Sequence, residues 1–248
     1  MFNPLWFAIG AVVGVAAGPV LRAAIFSHSV ASGEPWRTHC PICDKALVRG
    51  NWSLLVSAVR PSGRCPACHT RVGPPIGSVE VVAAAVVGLL AGFLGPHPAT
   101  LAFAWAGLVG VVLGAVDIAV HRLPDRLIAA GVIGAVALFA IATAAGAAPH
   151  RLLTAVLGGL ATGAVYLVMV FVTPRGMGLG DAKLALLTGL VTGWFGAWAA
   201  FYGFFLGMLL AGLVGVVLLA SRRVRRRDAI PIGPFMLVGA LAAILLIA

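Results

Sequence analysis

The sequence predicts an all-α, polytopic membrane protein: a bundle of about eight transmembrane helices with one small cytoplasmic loop built as a zinc knuckle. Three observations predict it. Of 248 residues, 61% are hydrophobic and only 10% charged, whereas soluble domains carry about 25% charged residues. Apolar runs recur at the length of about 20 residues that crosses a bilayer as a helix. Glycine is abundant, with 32 residues, as helices need when they pack without water to drive them together. The net charge of +10 does not mark a nucleic-acid binder, because the charges sit in loops between apolar runs and not on a soluble face.

Hydropathy places the spans near Leu5–Ile25, Val79–Leu94, Ala99–Val120, Leu127–Ala147, Leu152–Thr173, Ala182–Thr192, Gly196–Ala220 and Ile232–Ala248. A break around Gly193–Gly196 divides the short sixth span from the seventh. Basic residues set the orientation. Arg22, Arg37, Lys45, Arg49, Arg60, Arg64 and Arg71 follow the first span, and Arg122 and Arg126 the third. Arg175 and Lys183 flank the fifth-to-sixth connection, and Arg222, Arg223, Arg225, Arg226 and Arg227 follow the seventh. Only Arg151 falls in an opposite loop, so the polar stretch after the first span is predicted to be cytoplasmic and both termini to face outward. The first ten residues hold no basic segment, so a cleaved signal peptide is not expected. No internal repeat is evident. The Arg222–Arg227 cluster reads as a stop-transfer anchor, with contact to anionic membrane lipid as the alternative.

All four cysteines lie in the polar stretch, as Cys40-Pro-Ile-Cys43 and Cys65-Pro-Ala-Cys68. Two such pairs about twenty residues apart read as a tetrahedral thiolate site for zinc. Lys45, Arg49, Arg64 and Arg71 are placed to offset its negative charge. Disulfides compete, but a cytoplasmic loop is reducing. Four thiolates leave no open position for water, so the metal is expected to be structural, stapling a loop with little core of its own. His39 and His69 flank the pairs as bystanders.

Only seven acidic residues exist, and ionisable groups at membrane depth are costly and generally functional. Asp117 closes the apolar run Gly107–Val116, and Asp181 ends Gly176-Met-Gly-Leu-Gly-Asp181. The predicted orientation puts each at the cytoplasmic end of its helix. Two carboxylates within hydrogen-bonding distance share a proton, an arrangement that suffices for water-driven amide hydrolysis. Each also has a plain structural reading, Asp117 as a helix-end residue in interfacial water and Asp181 as a helix cap. Gly178 and Gly180 are expected to supply backbone conformations closed to other residues, and room for a substrate chain. Pro124 predicts a turn that opens the fourth helix, with Asp125 capping it.

Together these residues resemble the type IV prepilin peptidase family. The matching features are Asp117, then Leu123-Pro124-Asp125, then Gly178-Leu179-Gly180-Asp181 and the double CxxC loop. Asn51–Ser57 between the cysteine pairs and Pro231-Ile-Gly-Pro234 before the last span match as well. The likeness covers about Cys40 to the C-terminus. It implies a GxGD-type aspartic membrane peptidase with Asp117 and Asp181 as its catalytic pair, supported by Gly178, Gly180, Asp125 and Lys183. The implied substrate is a prepilin or pseudopilin precursor, cut from its short basic leader at the cytoplasmic face of the bacterial inner membrane. The pilus or type II secretion machinery would be an indirect partner. A second implied activity is methylation of the new N-terminal amine with S-adenosylmethionine. On this reading residues 1–26 form the first transmembrane helix, 27–77 the four-cysteine zinc loop and 78–248 the peptidase core.

Three other readings stay open at this point, one of them a zinc loop that serves as a docking module on a non-catalytic membrane scaffold. The presenilin and signal-peptide-peptidase group shares Gly-x-Gly-Asp but lacks the cysteine loop. A transporter would use Asp117 and Asp181 as ion or proton sites, although such groups belong near the bilayer midplane.

Overall fold

The computed structural model describes residues 2–31, 34–48, 63–75, 77–173, 177–222 and 230–247. Among these no β-strand forms; two isolated antiparallel bridges, His39–Ala46 and Arg64–Arg71, are the extent of β pairing. The helices are α1 (Pro4–His28), α2 (Ser78–Leu94), α3 (Pro98–Val120), α4 (Asp125–Ala144), α5 (Pro149–Val172), α6 (Leu179–Gly193), α7 (Ala197–Ala220) and α8 (Gly233–Ile247). Each corresponds to one predicted span. Five of them, α1, α3, α4, α5 and α7, are long and apolar enough to cross a membrane, while α2 and α8 are shorter apolar helices. The Asn51–Ser57 segment, Arg49, Arg60, Arg175 and Arg223–Arg227 lie outside the described residues.

The chain forms two compact units, Met1–Gly95 with Gly107–Arg122, and Pro96–Ala106 with Leu123–Ala248. In the first, α1 and α2 run against each other along a stripe of glycines spaced one helical turn apart. A Cβ on Gly10 would lie 2.6 Å from the Val87 carbonyl oxygen, one on Gly14 would strike the Ala83 backbone, and one on Gly18 would meet Glu80 at 2.7 Å. This is the small-residue face that lets backbones approach in lipid. The next residue on the same stripe is Arg22, only 1% exposed. Its guanidinium pairs with both Glu80 carboxylate oxygens, through Nε and NH2 at 2.6 Å each. It also donates to the Pro74 and Pro75 carbonyl oxygens. Arg22 is therefore not the loop charge its sequence position predicts. Helix α1 runs on to His28 and buries it.

The cysteine loop rests on the end of α1. Ala23 and Phe26 from the helix join Cys40, Leu47, Val48 and Cys65 in one buried cluster, so the loop borrows its core from the helix.

In the second unit α6 is central, packing against α4, α5, α7 and α8. Leu184, Ala185, Leu187, Thr188, Leu190, Val191 and Thr192 are all buried, as expected of a helix surrounded by protein. Close approach again depends on glycine: a Cβ on Gly158 would lie 2.9 Å from the Gly189 oxygen, and one on Gly159 2.9 Å from the Leu186 oxygen. The predicted break after α6 is real. Gly196 has φ 109°, a conformation that favours glycine. Trp194 before it is buried and stacks on Phe139 with ring centroids 4.3 Å apart.

Arg22→Met leaves the partly buried Glu80 carboxylate without its guanidinium and is expected to cost about 1–3 kcal/mol. Arg22→Met with Glu80→Gln recovers most of that loss. Thermal unfolding of the two variants in detergent checks both outcomes.

Candidate functional site

Asp181 is the third residue of α6, half-buried near the N-terminus of the central helix. Its Oδ2 accepts a hydrogen bond from the Gly178 backbone N–H at 2.9 Å. Glycine has no side chain to answer it, so half of a capping box is present, with the carboxylate at the positive end of the helix dipole. The other carboxyl oxygen has no hydrogen-bond partner among the described residues. The expected special backbone at the two glycines is absent. Gly178 has φ −98°, open to any residue, and a Cβ there would meet nothing closer than 3.8 Å. Gly180 lies within α6, and its need is space: a Cβ would approach Leu123 to 3.1 Å.

That contact joins two motifs distant in sequence. Leu123 is buried beside Pro124, and the Lys183 Nζ pairs with Asp125 Oδ1 at 2.7 Å. The cap position of α4 is Pro124, with no side-chain cap bond, so Asp125 is the first helical residue and not the cap. Its carboxylate holds Lys183 instead. The structure thus brings together Gly180, Asp125 and Lys183 at the head of α6, next in sequence to Asp181.

Asp117 lies in the last turn of α3 and is 5% exposed. Its carbonyl oxygen accepts from the His121 N–H at 2.8 Å, and His121 takes a left-handed φ of 50° that ends the helix. Arg122 follows, donating to the Ala31 carbonyl oxygen at 2.7 Å. Asp117 belongs to the first compact unit and Asp181 to the second.

The four cysteines meet. Their Sγ atoms all lie within 4.8 Å of one another, with Cys40–Cys68 at 3.6 Å and Cys43–Cys65 at 3.7 Å. These separations are well beyond the ~2.05 Å of a disulfide, and the set can hold one metal ion. The two turns repeat each other in their hydrogen bonds. Cys40 N–H bonds to the Lys45 oxygen and Asp44 N–H to the Cys40 oxygen; Cys65 N–H bonds to the Thr70 oxygen and His69 N–H to the Cys65 oxygen. Asp44 and His69 both take left-handed backbones, at φ 53° and 57°, and each knuckle closes with one isolated bridge. The signal available in sequence was the matched Cys-Pro-x-Cys with a polar residue after it.

Hydrogen bonds set the thiols apart. Those Cys68 makes with the Thr70 hydroxyl and then the Thr70 backbone N–H lower it to about 6. The Cys68 N–H leads in lowering Cys65. At Cys43 the Lys45 N–H pulls down, but local desolvation by the loop and the neighbouring thiols push it up to about 12. A metal that binds must displace the remaining protons, so affinity falls in acid. Arg64 donates to the His69 carbonyl oxygen and the His39 ring meets the Thr38 hydroxyl. Both thus have contacts outside the thiol cluster.

Sequence reasoning missed the partners of Arg22 and Lys183, each 58 residues away along the chain. Cys40→Ser or Cys65→Ser is expected to lower bound metal from about one ion per chain to none, and to lower the melting temperature. Elemental analysis of the purified protein with a thermal scan checks this.

Residues 104–219 match the type IV leader peptidase family, a span that includes Asp117, Leu123–Asp125 and Gly178–Asp181. The chain is 27% identical to the prepilin leader peptidase/N-methyltransferase of Stutzerimonas stutzeri, over 98% of this chain and 92% of that protein. It is 30% identical to the protein of that name from Pseudomonas aeruginosa, over 83% of this chain and 70% of the relative. The Pseudomonas putida protein is also 30% identical, over 84% and 71%. No solved structure matches. With its multi-pass apolar helices, its four-thiol cluster and this matching span, the chain belongs to the type IV leader peptidase family.

Proposed function

We propose that the protein is an aspartic endopeptidase that removes the short basic leader of a type IV prepilin or pseudopilin precursor at the cytoplasmic face of the bacterial inner membrane. Asp117 and Asp181 are its catalytic pair. The observation that carries this reading is the family match over 104–219, which holds both aspartates and the Leu-Pro-Asp and Gly-x-Gly-Asp segments in order. The names of the relatives supply the substrate class.

Two carboxylates that share one proton perform the whole reaction. The ionised member takes a proton from water, which attacks the scissile carbonyl carbon. The protonated member gives its proton to the carbonyl oxygen, and the tetrahedral species collapses with protonation of the leaving amine. The pair titrates as a unit. Capping of α6 by Asp181 leaves one carboxyl oxygen for this work. The Lys183–Asp125 bridge and the Gly180–Leu123 contact hold the Gly-x-Gly-Asp turn in place.

The metal is zinc. A zinc ion about 2.3 Å from each of four thiolates requires sulfur separations of about 3.8 Å, and the observed 3.6 and 3.7 Å fit. Cys40, Cys43, Cys65 and Cys68 would hold it, and its role is structural. We include N-methylation of the new terminus, which the relatives' names support, with S-adenosylmethionine supplying the methyl group. Among the described residues no sheet or strand–turn–helix cradle for a nucleoside forms.

Asp117→Asn and Asp181→Asn are each expected to lower leader cleavage about 10³-fold or more, with helix content and metal unchanged. A gel assay on a purified precursor reads this. Full cleavage by either variant would overturn the pair, and loss of an ion flux with cleavage intact would point to transport.

A further inference from the structure

The chain has only seven acidic residues, and most already have a use. Glu80 holds Arg22 and Asp125 holds Lys183, Asp117 and Asp181 are the proposed pair, and Asp228 lies outside the described residues. Glu34 and Asp44 remain. Neither carboxylate has an ion-pair or hydrogen-bond partner among the described residues. Both line one open cavity of about 400 Å³ beside the first cysteine turn.

The same cavity carries the side chains of Trp36 and Ile42, 44% and 68% exposed. They are the large hydrophobic residues left exposed among the described residues between α1 and α2. Arg37 also borders the cavity, but its guanidinium sits over the Phe26 ring, 5.8 Å from the centroid. An aromatic and aliphatic wall beside unpaired carboxylates suits a ligand with a cationic head on an apolar stem, which describes Lys and Arg side chains. A chain of net charge +10 gains discrimination from a local acidic groove, because the rest of its surface repels such a ligand. Anionic lipid would be repelled by the two carboxylates.

We propose that this cavity docks a cationic, extended stretch of the polypeptide substrate upstream of the cleaved bond. The proposal rests on the peptidase reading and deepens it. The groove supplies recognition and takes no part in bond breaking, so its loss changes substrate affinity and not the chemical step.

The test uses the full-length protein in lipid nanodiscs and two precursor peptides, one with Lys and Arg in its leader and one with Gln in their place. Glu34→Gln with Asp44→Asn removes both charges, and Asn tolerates the left-handed backbone of position 44. The expected result is a KM raised about 5–10-fold for the basic leader, with kcat, metal content and melting temperature unchanged. The Gln leader should show one KM with both proteins, and added salt should weaken only the basic leader on the native chain. An unchanged KM, or equal losses for both leaders, would overturn the proposal. So would loss of S-adenosylmethionine binding in the variant with leader affinity intact, which would give the cavity to the methyl donor. Anisotropy of a labelled basic peptide on Asp181→Asn protein reads docking without cleavage. Docking there, with no cleavage by the native chain, would sink the peptidase reading alone.

Discussion

Helices immersed in hydrocarbon gain nothing from hiding apolar side chains from each other, because lipid is equally apolar. What holds them is close backbone approach, and that requires residues with almost no side chain. In this chain the requirement is met along the Gly10, Gly14 and Gly18 stripe of α1 and at Gly158 and Gly159 of α5. The second meeting lets α5 press against α6 and leaves α6 enclosed by four neighbours. Enclosure explains how a helix of 15 residues is kept in place. It also gives Asp181, near its first turn, a firm base.

Charges obey a related rule. A guanidinium removed from water needs several acceptors at once, and Arg22 has the Glu80 carboxylate and two carbonyl oxygens. Because those carbonyls belong to Pro74 and Pro75, just beyond the second cysteine knuckle, the ion pair links α1, α2 and the loop in one contact. The Lys183–Asp125 bridge has a different character. Both partners are well exposed, so its contribution to stability is at most about 1 kcal/mol. Its effect is to align the Leu-Pro-Asp segment with the head of α6.

The cysteine loop illustrates how little core a module with four converging thiols needs. Two turns of the same hydrogen-bond pattern present paired thiols, and Ala23 and Phe26 of α1 complete a small buried cluster around them. Fastening the module to α1 gives it a defined position next to the membrane helices. Without that packing, four thiolates on a long loop would staple the loop only to itself.

Among the described residues the order of the helices was legible in the sequence alone, because apolar runs and the glycine break at Gly196 are local signals, although only five of the helices are long and apolar enough to cross a membrane. So was the thiol quartet, since a Cys-x-x-Cys turn dictates its own geometry. Asp117 and Asp181 stand out in the sequence as rare acids at helix ends, beside recognisable neighbours. Other features were decided only by tertiary structure. Arg22 reads in sequence as one more cytoplasmic charge, Asp125 as a cap, and Gly178 as a residue of special backbone. Folding instead buried the first, paired the second with Lys183 and left the third in an ordinary extended conformation. A charge takes its partner, and a glycine its purpose, from whichever backbone comes near, and that choice is made by helices far apart along the chain.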